Sequence, residues 1–247
     1  MTRYSLHGGH NSIVQGANYG DRKEHIMDRQ VKDAVVAKLR ALGHTVYDDT
    51  DEVGTTQAQN LNNIVAKTNS HDVDLVISFH LNSYDTNANG VEVLYYDQQA
   101  LSSKIAAQLS KDIGWANRGA KERKDLYVLS KTKAPAILIE LGFIDNESDM
   151  AKWNVDKIAN SIVFALTGQS GGGSQPPSQK RNVVEVGGIG KENLADVVGA
   201  LNSLKMTGNL ILKSDGYVYP VTDPTSDAQL KGFTDYLDKR NWVYDVK

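Results

Sequence analysis

The chain has no cysteine among its 247 residues. Disulfides are excluded, and so is zinc held by thiolates, which leaves histidine and carboxylates as the metal donors. Long apolar runs are missing as well. None approaches the ~20 residues that a membrane-spanning helix needs, so no membrane insertion is expected. Charge of one sign is not in excess: the formal net charge is −3, which argues against a nucleic-acid partner. No basic segment followed by an apolar one opens the chain. Met1-Thr2-Arg3-Tyr4-Ser5-Leu6 leads directly into a strand pattern, so no signal peptide is expected. A target outside the cell would then require another route of delivery. With 40% apolar and 23% charged residues, the composition is that of a soluble globular protein. The length suits one ordinary domain and a small one.

What is present centres on Ala136-Ile137-Leu138-Ile139-Glu140-Leu141-Gly142-Phe143-Ile144. The apolar run reads as a strand buried on both faces, and it carries a carboxylate near its end. An ionised carboxylate there is costly unless something pairs with it. Two earlier stretches have the same design. Residues 2–6 run into Gly8-Gly9-His10-Asn11, and residues 73–79 run into His80-Leu81-Asn82. Three strands thus end in residues that can hold a metal or move a proton, and sites in open α/β sheets form at such ends.

Apolar periodicity predicts helices over 24–42, 58–70, 101–113 and 148–166, and strands over 44–47, 74–80 and 91–96. Residues 117–124 read as polar and irregular, and 126–129 as a short strand. The alternation predicts an α/β fold: a twisted, mainly parallel sheet with helices on both faces. The short hop to 91–96 points to one antiparallel or edge pairing. This first domain is expected to span 1–167. Residues 168–182 include Gly171-Gly172-Gly173-Ser174-Gln175-Pro176-Pro177-Ser178 and read as a flexible linker. Residues 183–247 have the order βαββαβ, a small α+β unit. Tyr217, Tyr219, Tyr236, Trp242 and Tyr244 make it an aromatic-bearing binder rather than a second enzyme.

His10 sits after two glycines that allow a tight turn. His80 ends an apolar strand. Glu24 opens a helix, where a glutamate also simply favours the helix dipole. Glu140 needs a partner, and Arg118 or Lys133 would serve if it had no other task. His7, three residues before His10, competes as a ligand. A catalytic zinc takes three ligands from His and Glu or Asp, and His10, Glu24 and His80 supply such a set. Two imidazoles favour zinc over magnesium. Glu140, outside the set, can then take a proton from water. Asn11 and Asn82 are the expected substrate contacts.

Gly9-His10-Asn11, Lys23-Glu24, Ser78-Phe79-His80-Leu81-Asn82 and Ile139-Glu140-Leu141-Gly142-Phe143-Ile144-Asp145-Asn146 resemble, in order and spacing, the motifs of the zinc-dependent N-acetylmuramoyl-L-alanine amidases. The resemblance covers about residues 2–167 and implies a sheet flanked by helices. It implies His10, Glu24 and His80 as ligands of Zn2+ and Glu140 as the catalytic carboxylate. It further implies cleavage of the amide between muramic acid and L-alanine in peptidoglycan. Many members carry Asp before Gly-His and Gly-Gly after it, whereas here Leu6-His7-Gly8 precedes Gly9-His10 and Asn11-Ser12 follows, and the serine common in the glutamate motif is Asp145. A catalytic domain, a linker, a small C-terminal module and no signal peptide resemble a bacteriophage endolysin. Such a protein waits in the host cytoplasm and then binds a wall ligand through its C-terminal domain. A sporulation or mother-cell autolysin has similar parts.

Overall fold

The computed structural model describes residues 1–169, 183–204, 206–223, 225 and 227–246. From residue 170 onward the expected linker lies outside the described residues. The chain divides into two compact units between residues 173 and 174.

In the first unit, β1 (Arg3–Gly8) leads through a hairpin of β2 (Asn18–Tyr19) and β3 (Arg22–Lys23) into α1 (Glu24–Ala41). Then come β4 (Thr45–Asp48), α2 (Gln57–Asn69), β5 (Leu75–Asn82) and β6 (Val91–Tyr95). α3 (Gln99–Ile113), β7 (Asn117–Glu122), α4 (Tyr127–Lys131), β8 (Ala136–Phe143), α5 (Glu147–Met150) and α6 (Val155–Thr167) complete it. The six-stranded sheet has the order β4-β1-β5-β8-β6-β7. The first four strands are parallel, and β6 runs antiparallel to β8. This is the mainly parallel sheet with one reversed pairing that the spacing predicts.

Helices cover both faces. Ile77, Phe79, Ile137 and Ile139 pack with α1, α3 and α6, including Val35, Leu109 and Ile162. The opposite face sets Val76, Leu94 and Leu138 against Ile64 of α2 and Val128 of α4. Strand side chains alternate between the two faces. Along β8, 137 and 139 point one way and 136 and 138 the other. Glu140 therefore continues the row on the α2–α4 face. His7, Ser78, His80 and Glu92 fall on that face by the same parity and register.

Three expectations are corrected. Residues 117–122 form the edge strand β7, paired with β6 alone among the described residues. An edge strand has little surface to bury, so its apolar alternation is weak. Residues 126–129 start a short helix instead of a strand, with Ser130 N donating to Leu126 O. The last helix is two helices, because Asn146 caps α5 and Asn154 caps α6 through their side chains.

The second unit keeps the expected order. It has β9 (Val184–Val186), a 3-10 turn at Lys191–Asn193, α7 (Leu194–Ser203), β10 (Gly208–Leu212), β11 (Val218–Thr222), α8 (Asp227–Asp238) and β12 (Tyr244–Val246). Its antiparallel sheet has the order β10-β11-β9-β12. Val184, Val186 and Val218 meet Val197, Leu201, Phe233 and Leu237 in its core. Among the described residues no helix is long and apolar enough to cross a membrane.

Candidate metal centre

The chain turns sharply after β1. Gly9 N donates to Phe79 O at 2.9 Å, which ties the turn to β5. A Cβ on Gly9 would lie 2.1 Å from Cε1 of His80, so only glycine lets that ring reach its place. His10 follows with φ of 57°, a left-handed conformation costing on the order of 1 kcal/mol outside glycine. The surroundings hold it there. Arg29 of α1 donates to Gly9 O at 2.9 Å and to His10 O at 2.8 Å, and Asn60 of α2 donates to His10 O at 3.3 Å.

Glu24 opens α1, but its side chain turns inward and is 3% exposed. Oε2 accepts from Ala17 N at 2.7 Å, and Oε1 accepts from Leu81 N at 3.1 Å. Oε1 also lies 2.9 Å from His80 Nδ1, and Oε2 lies 3.5 Å from His10 Nε2. Gly16 makes room for this: its φ is 71°, and a Cβ there would lie 2.4 Å from both Glu24 Oε2 and His10 Cδ2. Among the described residues, His10, Glu24 and His80 form the one group of three donors whose ligand atoms all lie within 4.8 Å of one another. The two imidazoles keep 18% and 19% of their side-chain surface while Glu24 keeps 4%. Approach is therefore past the rings.

The electrostatics follow from burial and contact. Burial alone would lower His80, but the Glu24 bond and nearby carboxylates outweigh it and raise its pKa to about 9. Burial would raise Glu24, but the hydrogen bond and charge of His80 outweigh it and lower its pKa. Burial, then the charge of His80, lowers His10.

Glu140 is the register partner of His80 on the neighbouring strand. Its Oε2 is buried and finds no hydrogen-bond partner among the described residues. Neither cation suggested by the sequence pairs with it. Arg118 Nε donates to Glu92 at 2.8 Å, and Lys133 Nζ donates to Asn69 O at 3.3 Å. Burial pushes the Glu140 carboxyl up to about 7; His80 opposes the rise, and the carboxylates of Glu24 and Glu92 add to it.

His7 does not join the donor group. It is fully buried, and burial lowers it to about 3, which keeps the ring neutral. Asn11 is also fully buried. Its amide donates to Gly54 O and Asp51, and its Oδ1 accepts from Ile13 N and Val14 N. This corrects the expectation that Asn11 touches substrate, since both ends of the amide are engaged inside the loop. Asn82 is half-buried and donates to Glu92 Oε1 at 3.1 Å.

Two residues escape the sequence reading. Glu92 of β6 is in register with Glu140 and brings a second carboxylate to this face. Its signal is a glutamate set within the apolar run of Val91, Val93 and Leu94. Arg29 clamps the turn, and no sequence signal marks it.

The model of a family described as N-acetylmuramoyl-L-alanine amidase matches residues 6–168. That described as the PlyG cell wall binding domain matches residues 203–246. The chain is 33% identical over 171 residues to the uncharacterized protein YqiI of Bacillus subtilis, covering 65% of this chain and 79% of that one. It is 29% identical over 149 residues to the probable cell wall amidase LytH of Staphylococcus aureus, covering 58% of this chain and 48% of the other. The chain thus spans about half of that relative's length. The solved catalytic domain of the CD27L endolysin, titled as targeting Clostridia difficile, matches with a TM-score of 0.62 and 27% identity, over 69% of this chain and 99% of that one. The CwlD amidase from Clostridioides difficile matches in fold, with a TM-score of 0.61 and 22% identity, over 68% and 98%.

Proposed function

The chain belongs to the N-acetylmuramoyl-L-alanine amidase family, and from that premise we propose a zinc-dependent peptidoglycan hydrolase. It cuts the amide between the lactyl group of N-acetylmuramic acid and L-alanine of the stem peptide. One observation carries this reading: Glu140, whose buried Oε2 has no hydrogen-bond partner among the described residues, is in register with His80, a member of the two-imidazole, one-carboxylate group.

His10, Glu24 and His80 would hold the ion. Three protein ligands are the number a catalytic zinc takes, and two imidazoles suit zinc better than magnesium or calcium. When bound, zinc polarises the amide carbonyl and makes water more acidic. Glu140 accepts a proton from the attacking water at a carboxylate oxygen. It returns that proton to the alanine nitrogen as the C–N bond breaks, leaving a lactyl carboxylic acid and a free amine. Glu92, held by Arg118 and Asn82, lies beside Glu140 and raises its pKa, so it supports its basicity. Asn82, half-buried on the rim, contacts substrate. Asn11 holds the loop that carries His10.

Residues 1–167 are the catalytic domain, 168–182 the linker and 183–247 the wall-binding domain. The wall-binding match and the likeness to an endolysin catalytic domain support a bacteriophage endolysin held in the host cytoplasm until lysis. The likeness to a staphylococcal protein favours the second reading, a bacterial autolysin of the same activity.

Digestion of purified walls tests the activity. Mass spectrometry is expected to find intact stem peptides starting at free L-alanine, with EDTA abolishing release and zinc restoring it. Stems cut internally, or deacetylated sugars, would overturn the reading. Expression inside a susceptible host separates the two origins: an endolysin lyses only after the membrane is opened.

A further inference from the structure

His7 and Ser78 are register partners on β1 and β5. They are 0% and 1% exposed. Neither ring nitrogen of His7 and not the hydroxyl of Ser78 finds a hydrogen-bond partner among the described residues. Both side chains line a cavity of about 30 Å³ that His10, His80 and Asn60 also line, together with apolar side chains such as Ile64 of α2. Buried polar groups are satisfied in folded proteins by the chain or by ordered water. A space of this size admits one water, which needs two to four polar neighbours.

We infer that His7 is a positioning residue of the metal centre, acting through one ordered water that it shares with Ser78 and the ring of His80. The inference rests on the reading of His10, Glu24 and His80 as metal ligands. Nδ1 of His80 faces Glu24, which leaves Nε2 as the nitrogen that can meet the water. A ligand histidine characteristically donates its second N–H to an acceptor that fixes the ring. Burial keeps His7 neutral, so one of its nitrogens donates and the other accepts. Ser78 can do either. The water therefore has an acceptor, a donor and an adaptable hydroxyl around it. An apolar residue at position 7 would remove one of these and loosen the set.

Three measurements on the full chain test this. NMR of the protein in water is expected to show a long-lived water with a cross-relaxation peak to the His7 ring protons. His7→Leu is expected to remove that peak and weaken zinc binding about 10- to 100-fold, measured by chelator competition. His7→Gln, which keeps a donor and an acceptor, is expected to restore most of the affinity. Ser78→Ala stands in if His7→Leu fails to fold, with the peak lost and a smaller fall in affinity. A missing water peak in the unaltered protein overturns the inference. So does wild-type zinc affinity in both variants, or equal weakening by Leu and Gln. His10→Ala separates the two levels. If it leaves zinc binding unchanged, the ligand reading falls and the role of His7 falls with it. If it abolishes zinc binding while His7→Leu does nothing, only the role of His7 falls.

Discussion

Glu140 stands beside His80 at the last regular step of the β5–β8 ladder. The next aligned pair is Asn82 with Phe143, so β8 carries an extra residue directly after the carboxylate. Gly142, with φ of 79°, lies within that irregular step. Asp149 fastens the far side, its Oδ2 accepting from Phe143 N at 3.0 Å and Gly90 N at 2.7 Å. Bulges next to active sites re-aim side chains. This one ends the flat pairing directly beyond the carboxylate proposed to move the proton.

Glu140→Gln keeps the size of the side chain and removes its basicity. Amidase activity on walls is expected to fall by roughly 10²- to 10⁴-fold, with zinc content unchanged by elemental analysis. Activity within a few-fold of the unaltered protein would take Glu140 out of the reaction.

The same group sets a pH dependence. A base works deprotonated, and burial raises the Glu140 pKa to about 7. A nearby cation lowers it. The acid limb of kcat/KM is therefore expected at or below pH 7, with activity falling about tenfold per pH unit beneath it. Profiles taken in saturating zinc separate this limb from metal loss.

Metal uptake is expected to release a proton. The Glu24 bond and nearby carboxylates raise the His80 pKa, which favours a protonated ring, whereas a ligand imidazole is neutral. Calorimetry in buffers of different ionisation enthalpy should count about one proton per zinc. Apparent affinity should then rise with pH through the range in which His80 loses its proton. No proton release at pH 7.5 would contradict the His80–Glu24 ion pair.

Gly9→Ala tests the fit of turn to ring. The added methyl overlaps His80, and close-packed interiors do not absorb such overlap without movement. Zinc affinity is expected to drop at least ~10-fold with an unchanged far-ultraviolet dichroism spectrum. Unaltered affinity would show that the His80 ring has room to shift.

The sequence speaks clearly where one residue breaks a local pattern. Glu140 interrupts an apolar row, and His10 follows paired glycines. Both are readable because neighbours a few positions away define the exception. Glu24 is different. A glutamate in a first helical turn is ordinary, and what turns this one inward is Ala17 N, Leu81 N and the His80 ring. Two of these three contacts involve residues more than 50 positions away. Glu92 and Arg29 are harder still, since their partners come from other strands and loops. β7 and α4 are not legible in the sequence for a related reason: an edge strand and a short helix are too exposed or too brief to impose a period.

Arg29 grips two successive carbonyls of the turn that carries His10. That grip involves no donor atom of the proposed zinc ligands. The turn is therefore held by the chain's own contacts, and loading is expected to resemble docking more than folding. A preparation stripped of its ion should keep its form in storage and regain full lytic power within the time of mixing.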